Sequence, residues 1–234
     1  MMMLARTSIP EVNMFRLSAL SVLIPALSLA APVPKAKEAE LYFPTQEGTK
    51  RVMQMKEGIN TTETTETVTK VEQKDGVYRV SLGREVGGRP AGTAQIFEVS
   101  AKGVFRLTSG GVETKTPYMV LKLGVKEGES WTSELDIPGR GGLDGTTGKT
   151  KHTLGQEEEI EVPAGKYKAL RVESESDNNG TTSKSTIWIA PGVGIVKIES
   201  ERGGSKMVQE MKSFTLGKDE PKKDDPKAEE KKGK

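Results

Sequence analysis

The chain has 234 residues, with 35 lysines and arginines, 33 aspartates and glutamates, one histidine and no cysteine. The length allows one large domain or two small ones, and the formal net charge of +2 gives no general electrostatic case for binding nucleic acid or an anionic membrane. The lack of cysteine excludes disulfides, thiolate metal sites and a cysteine nucleophile.

The N-terminal segment has the pattern of an export signal. Residues 17–29 form an uncharged apolar stretch, which is shorter than the roughly 20 residues of a transmembrane helix. Ser28 and Ala30 place small residues where a signal peptidase that cuts after Ala30 requires them. The sequence therefore predicts a signal peptide over 1–30 and a short linker over 31–39. The mature chain is expected to be periplasmic or extracellular, with no transmembrane segment.

The segment 40–216 alternates apolar and polar residues with a period of two, which is typical of β-strands. Turn signals such as Asp75-Gly76 and Gly203-Gly204 separate the alternating runs. This pattern predicts an antiparallel all-β domain. The predicted strands are 61–71, 77–82, 95–99, 104–108, 118–123, 166–173, 185–190, 195–200 and 206–216, and a further alternating run covers 151–162.

The two halves of this domain, 40–115 and 116–216, carry similar short patterns. Ile96-Phe97 followed by Gly103 matches Ile187-Trp188 followed by Gly194 at a constant offset of 91 residues. A duplication would explain the match because repeats keep a fixed period. The general likeness of β-hairpins would explain it too, since all hairpins need turn glycines and alternating apolar residues.

Two features near the middle of the chain suggest chemistry. Residues 145–150 end like a phosphate-binding loop, but Leu143 occupies the place of its first glycine, so the segment 139–150 is interpreted as a glycine-rich loop that could act as a lid. His152, the single histidine, is expected to be an exposed strand residue beside that loop.

The acidic run 157–161 places Glu157, Glu159 and Glu161 on one face of a strand. Three carboxylates could bind Ca²⁺ or serve as the acid and base of a glycosidase, but a solvated face neutralised by neighbouring lysines or arginines is the favoured interpretation. The sequence predicts no catalytic residue, no metal site and no cofactor. A hydrolase that uses the Glu157–Glu161 acids is the weakest alternative.

Residues 162–169 read VPAGKYKA and residues 186–197 read TIWIAPGVGIVK. Together these motifs resemble an uncharacterised family of bacterial exported β-rich domains, known as domains of unknown function or as TapB-like, over roughly residues 40–216. The resemblance implies a curved antiparallel sheet or an open or half barrel, with a looser similarity to periplasmic lipoprotein carriers that hold an acyl chain. It carries over no catalytic residue.

Three functional hypotheses follow. The first is an exported non-catalytic domain that binds an apolar ligand or a protein partner in the cell envelope, and the second is a structural envelope interaction protein with no small ligand. The third is the hydrolase. If a ligand binds, the expected contacts are the aromatic residues Phe97, Trp131, Tyr167 and Trp188. The segment 217–234 alternates charges without large apolar residues, so it is predicted to be a disordered tail.

Overall fold

The computed structural model describes residues 40–92, 95–109, 111–137, 146–178 and 181–217. The predicted signal peptide and linker lie outside the described residues, as does the predicted charged tail beyond Gly217. Residues 139–145 of the predicted lid lie outside them too.

The described residues form thirteen β-strands and no helix. In chain order the strands are β1 (Lys50–Glu57), β2 (Asn60–Lys74), β3 (Val77–Val86), β4 (Arg89–Pro90), β5 (Gln95–Ser100), β6 (Gly103–Ser109), β7 (Val112–Lys122), β8 (Ser130–Ile137), β9 (Thr146–Val162), β10 (Gly165–Asn178), β11 (Thr181–Ala190), β12 (Gly194–Arg202) and β13 (Ser205–Thr215).

These strands form one antiparallel sheet made of two meanders. Strands β1, β2, β3, β5, β6 and β7 follow one another in the first meander, with the short β4 paired only to β3, and β8 to β13 follow one another in the second. A backbone ladder between β1 and β13 joins the two meanders. The sheet curves until its end strands β7 and β8 lie side by side. The predicted all-β class and curved antiparallel sheet are confirmed, and the sheet is nearly closed into a barrel.

Two glycines that lie 80 residues apart, Gly48 and Gly128, occupy matching places in the two meanders. The amide of Gly48 donates to the carbonyl of Val68 at 2.8 Å, and the amide of Gly128 donates to the carbonyl of Leu154 at 2.7 Å. Gly48 and Gly128 have nearly the same positive φ angles, 78° and 81°. Each glycine thus makes the turn that leads into the first strand of its meander and ties that turn to the second strand.

The aromatic residues Phe97 and Trp188 also occupy matching places in the two meanders. Phe97 of β5 pairs with Arg106 of β6, and Trp188 of β11 pairs with Lys197 of β12, so both members of the pair are displaced by the same 91 residues. In each meander an aromatic residue therefore lies across a ladder from a cationic one.

The core consists of two clusters on opposite faces of the sheet. The larger fills the interior with residues from both meanders, including Val80, Val99, Leu121 and Ile189. The smaller contains Trp188 with residues from the β9–β10 hairpin. Consecutive side chains of a strand point to opposite faces, so Trp188 and Ile189 bury both faces of β11.

Candidate functional site

The junction between β7 and β8, called the seam below, is closed by side chains. Within the described residues β7 pairs only with β6 and β8 pairs only with β9, so no ladder joins β7 to β8. The indole Nε1 of Trp131 and the hydroxyl of Ser133, both on β8, donate to the carbonyl of Met119 on β7 at 3.2 and 2.8 Å. An exposed ion pair joins Lys115 Nζ to Asp136 Oδ2 at 2.9 Å.

The local sequence explains why β7 does not form a regular ladder on both sides. Pro117 has no amide hydrogen and is tolerated in a strand only at an edge or an irregularity. The β6–β7 register shifts between Val104 and Phe105 and again between Arg106 and Thr108. These shifts bend β7 at the point where the sheet has to close.

Four side chains span the seam and are called the seam cluster: Arg106 of β6, Tyr118 of β7, His152 of β9 and Trp131 of β8. The guanidinium carbon of Arg106 lies 4.8 Å from the centre of the Tyr118 ring. The Tyr118 and His152 rings meet nearly at right angles, with centres 5.6 Å apart. The His152 and Trp131 rings stack at 5.2 Å. The cluster thus runs as a continuous set of ring contacts from one meander to the other.

The expectation that His152 is exposed is wrong, because the side chain is only 3% exposed. Thr150, His152 and Leu154 alternate with more exposed residues and face the interior, so the register of β9 turns His152 inward. Its Nδ1 lies 2.7 Å from the hydroxyl oxygen of Ser174, whereas the buried Nε2 has no hydrogen-bond partner within the described residues. Burial lowers the pKa of His152 from 6.5 to about 4, so the imidazole is neutral at pH 7.

Arg106 is a cation without an anion. Its Nε is buried and unbonded, and none of the ion pairs in the described part of the chain includes its guanidinium. Burial lowers the pKa of Arg106, although the neighbouring Tyr118 opposes the shift. By contrast, the buried Arg51 has Glu66 at 2.5 Å. Arg106 is half-buried and its Nε is fully buried, and a cation removed this far from water is normally paired, so Arg106 departs from the usual pattern.

The four aromatic residues predicted to bind a ligand do not lie together. Phe97 and Trp131, which are 7% and 8% exposed, belong to the interior cluster. Trp188, 8% exposed, and Tyr167 belong to the cluster on the other face of the sheet. The Trp188 indole donates to Glu158 at 2.5 Å, which anchors it to the β9–β10 hairpin. Trp131 alone among the four belongs to the seam cluster.

The acidic run 157–161 forms a solvated strand face, as the favoured interpretation predicted. Glu157, Glu159 and Glu161 are exposed, and lysines of the neighbouring strand β10 pair with them: Lys168 with Glu157 at 3.1 Å, and Lys166 with the other two at 3.8 and 3.9 Å. The prediction that neighbouring cations neutralise this face is confirmed. His152 lies in the buried seam cluster, in surroundings quite different from those of the three acids.

Residues 146–150, which were predicted to belong to the lid, are instead part of β9. Alternation continues through them, and Lys149 pairs with Glu134 of β8 at 2.9 Å, so they extend the β8–β9 ladder. The described part of the chain holds no helix with the length and apolar character needed to span a membrane.

The described cavities are surface features. A groove of about 590 Å³ crosses β9 to β13, and half of the residues that line it are exposed charged residues of both signs. A second cavity of about 450 Å³ lies beside Leu41, Phe43 and Leu216. The interior residues behind the seam, among them Phe97, Leu121 and Trp131, are packed against one another.

The second meander is the part of the chain that matches a known family. Residues 146–212 match the profile of the DUF3108-like family. The matched range contains the two most specific motifs of the resemblance, residues 162–169 and 186–197. The resemblance to an uncharacterised β-rich domain family is confirmed. None of the curated proteins matches this chain.

Solved structures share the fold. A candidate exported protein with a YmcC-like fold from Bacteroides fragilis is 14% identical and superposes with a TM-score of 0.57 over 75% of this chain and 99% of its own. A candidate lipoprotein from Parabacteroides distasonis is also 14% identical, with a TM-score of 0.54 over 76% of this chain and 100% of its own. At this identity the similarity concerns the fold.

Period-two alternation already placed Arg106 on the same face as Val104 and Thr108, and Trp131 on the same face as Ser133. Sequence reasoning missed Arg106 and Tyr118 because β8 was not among the predicted strands, so no strand was expected beside β7. That none of the ion pairs of the described residues includes Arg106 depends on the three-dimensional arrangement alone.

Proposed function

We propose that the protein is an exported, non-catalytic β-domain of the cell envelope that binds an apolar ligand by admitting it between β7 and β8. The observation that carries this proposal is the closure of the seam by side chains where the rest of the sheet has backbone ladders. Separating β7 from β8 breaks no ladder hydrogen bond, so this is the place where the sheet opens at the lowest cost.

The cost of opening follows from the contacts. The two hydrogen bonds to Met119 contribute roughly 1 kcal/mol each, and the exposed Lys115–Asp136 pair adds about 0–1 kcal/mol. Breaking the contacts within the seam cluster adds to this sum. A ligand that replaces the lost apolar contacts can offset such a cost, since burial of apolar surface contributes about 25 cal/mol per Å².

The residues behind the seam suit an apolar ligand. Phe97, Leu121, Trp131 and Leu154 all belong to the interior cluster, and they come from four different strands. Opening the seam would expose their surfaces to a molecule placed between β7 and β8. Of the residues expected to bind, this site uses Phe97 and Trp131, whereas Tyr167 and Trp188 stabilise the hairpin on the other face.

The export part of the proposal rests on the leader-like residues 17–29 and the small residues Ser28 and Ala30. Two proteins of the same fold are described as a candidate exported protein and a candidate lipoprotein. The non-catalytic part rests on the separation of His152 from the acidic run, because acid–base catalysis needs its groups within reach of one substrate.

The packed interior favours a second candidate, an envelope interaction protein with no small ligand. Its partner would contact the surface, and the groove across β9 to β13, with its charged residues of both signs, is a candidate contact region. The two candidates differ in whether an apolar molecule enters the sheet.

The test uses the neutral apolar dye N-phenyl-1-naphthylamine, which fluoresces when it leaves water. Because the chain has no cysteine, the double variant Lys115→Cys/Asp136→Cys can be joined across the seam by a short bismaleimide at those two positions alone. The matched control is Glu175→Cys/Lys184→Cys, whose side chains also form an ion pair but lie across the regular β10–β11 ladder.

We expect the purified protein to bind the dye, the seam cross-link to abolish binding, and the control cross-link to leave it unchanged. Absence of dye binding to the wild type, or equal binding with the seam locked, refutes the ligand proposal and leaves the interaction protein as the better account.

A further inference from the structure

The seam cluster contains two buried polar atoms that have no hydrogen-bond partner among the residues that the structure describes, Arg106 Nε and His152 Nε2. Tyr118 contacts both side chains, with the Arg106 guanidinium over its ring and the His152 ring perpendicular to it. The two unsatisfied groups therefore flank the same residue, on the strand that forms one side of the seam. Native proteins rarely leave buried polar groups unpaired, and each one calls for an explanation.

Both groups can donate hydrogen bonds to an anion. Arg106 presents a cationic guanidinium fork, which matches a carboxylate in shape and charge. When the Ser174 hydroxyl donates to Nδ1 of His152, the neutral ring carries its proton on Nε2, and that N–H is a second donor. The ion pairs formed by described carboxylates all have other partners, so the described part of the chain supplies Arg106 with no counter-ion.

We infer that the ligand proposed above carries a carboxylate at one end, and that Arg106 binds this carboxylate with His152 Nε2 as a second donor. The inference rests on the proposed function, because the ligand reaches the seam cluster only when β7 and β8 separate. The apolar part of the same molecule would then lie against Phe97, Leu121 and Trp131, which are in the interior cluster. The ligand class is a carboxylate-bearing amphiphile such as a fatty acid.

The chemistry of the cluster explains why one carboxylate fits better than a more highly charged group. Arg106 supplies a single positive charge, and His152 stays neutral because it is buried between aromatic rings. A monoanion neutralises that charge completely, whereas a dianion would leave a second charge buried and unpaired, which is costly.

The test measures how well decanoate and decanol displace the naphthylamine dye from the protein at pH 7. The two probes have the same chain and differ in the carboxylate, so their ratio isolates recognition of the charge. We expect decanoate to displace the dye at about a tenfold lower concentration than decanol, since a hydrogen bond to a charged group contributes about one decade or more in affinity.

Three variants test which side chains cause this preference for decanoate, and a fourth variant serves as the control. In Arg106→Met we expect the tenfold gap to disappear, and in Arg106→Lys, which keeps the charge and loses the fork, we expect it to shrink. His152→Phe keeps an aromatic ring beside Trp131 and removes the second donor, so the gap should shrink there too. Arg84→Met removes a charge from an exposed residue of β3 and should leave the gap unchanged.

The affinity of each variant for the dye itself is measured alongside, and it reports whether the site is folded. Equal displacement by decanoate and decanol in the wild type overturns the inference, and so does a gap that persists in Arg106→Met. In both cases dye binding that depends on the seam would still support the proposed function. Failure of the dye to bind at all removes the proposed function and this inference together.

Discussion

The strongest prediction concerns the pH dependence of stability that arises from His152. Its pKa is about 4 in the folded protein and 6.5 in an unfolded chain, so at pH values between these limits the unfolded state binds more protons. The depressed pKa therefore stabilises the fold fully above pH 6.5, and this contribution is lost as the pH falls towards 4. The difference between the two pKa values corresponds to about 3 kcal/mol, of which about 2 kcal/mol is lost between pH 7 and pH 4.5.

The assay is urea unfolding followed by tryptophan fluorescence at several pH values between 7 and 4.5. The matched control is His152→Phe, which keeps an aromatic ring beside Trp131 but has no proton to gain. Paired lysines lower the pKa values of carboxylates such as Glu63 and Glu175, so protonation of these groups also destabilises the fold as the pH falls. This effect is the same in the wild type and in the variant. The wild type should therefore lose about 2 kcal/mol more than the variant over this range.

A direct readout is available because the chain has a single histidine. The imidazole carbon-bound protons give one set of NMR signals, and their titration measures the pKa of His152 without assignment. A midpoint near 6.5, or the same loss of stability in wild type and His152→Phe, would refute the argument that the ring is buried and neutral.

The remaining predictions are tested by denaturant unfolding. Trp188→Ala should lower the free energy of unfolding by about 3–5 kcal/mol, because it removes a large buried side chain from the smaller core cluster. Gly103→Ala should cost more than Gly165→Ala, since both have strongly positive φ angles but only at Gly103 would the new Cβ meet a backbone carbonyl, at 1.9 Å. Arg51→Met should cost about 3–5 kcal/mol by leaving Glu66 unpaired, and the double variant with Glu66→Leu should recover much of that loss. Equal costs for the two glycine variants, or no recovery in the double variant, would contradict these arguments.

Much of the fold could be predicted from the sequence because the two faces of an antiparallel sheet differ in exposure, so apolar and polar residues alternate along each strand. Most strands of the second meander are confirmed within a few residues, as at Ser185–Ala190 inside β11. Besides the two-residue β4, the predicted set missed β1 and β8. These are the first strands of the two meanders, and the turns at Gly48 and Gly128 that lead into them are not hairpin turns between two paired strands.

The site was less predictable than the fold, for a physical reason. His152 follows a glycine-rich segment that suggested a loop, yet ladders to β8 and β10 on either side bury it. The four aromatic residues predicted to bind a ligand, Phe97, Trp131, Tyr167 and Trp188, are of a type that often lines binding sites. The sequence could not show that the curvature of the sheet divides them between two faces.

The matching turns at Gly48 and Gly128 bear on the origin of the fold. We propose that the two meanders arose by duplication of one six-stranded unit. The equivalent hydrogen bonds to Val68 and Leu154 support this, since unrelated hairpins have no reason to repeat a contact between a leading turn and the second strand. Expression of residues 40–123 and 124–217 as separate chains tests it. Recovery of a folded complex on mixing is expected, and failure of the two fragments to associate would count against it.

The ladder between β1 and β13 has a consequence for how the chain folds. Within each meander every strand pairs with a neighbour in sequence, so those contacts close short loops and can form early. The β1–β13 ladder pairs Lys50 with Thr215 and must close nearly the whole domain at once, which carries the largest loss of chain entropy. We therefore expect the order of events to be two meanders first and their union last. A chain cut short before β13 would then leave β1 as an unprotected edge, open to pairing with another molecule.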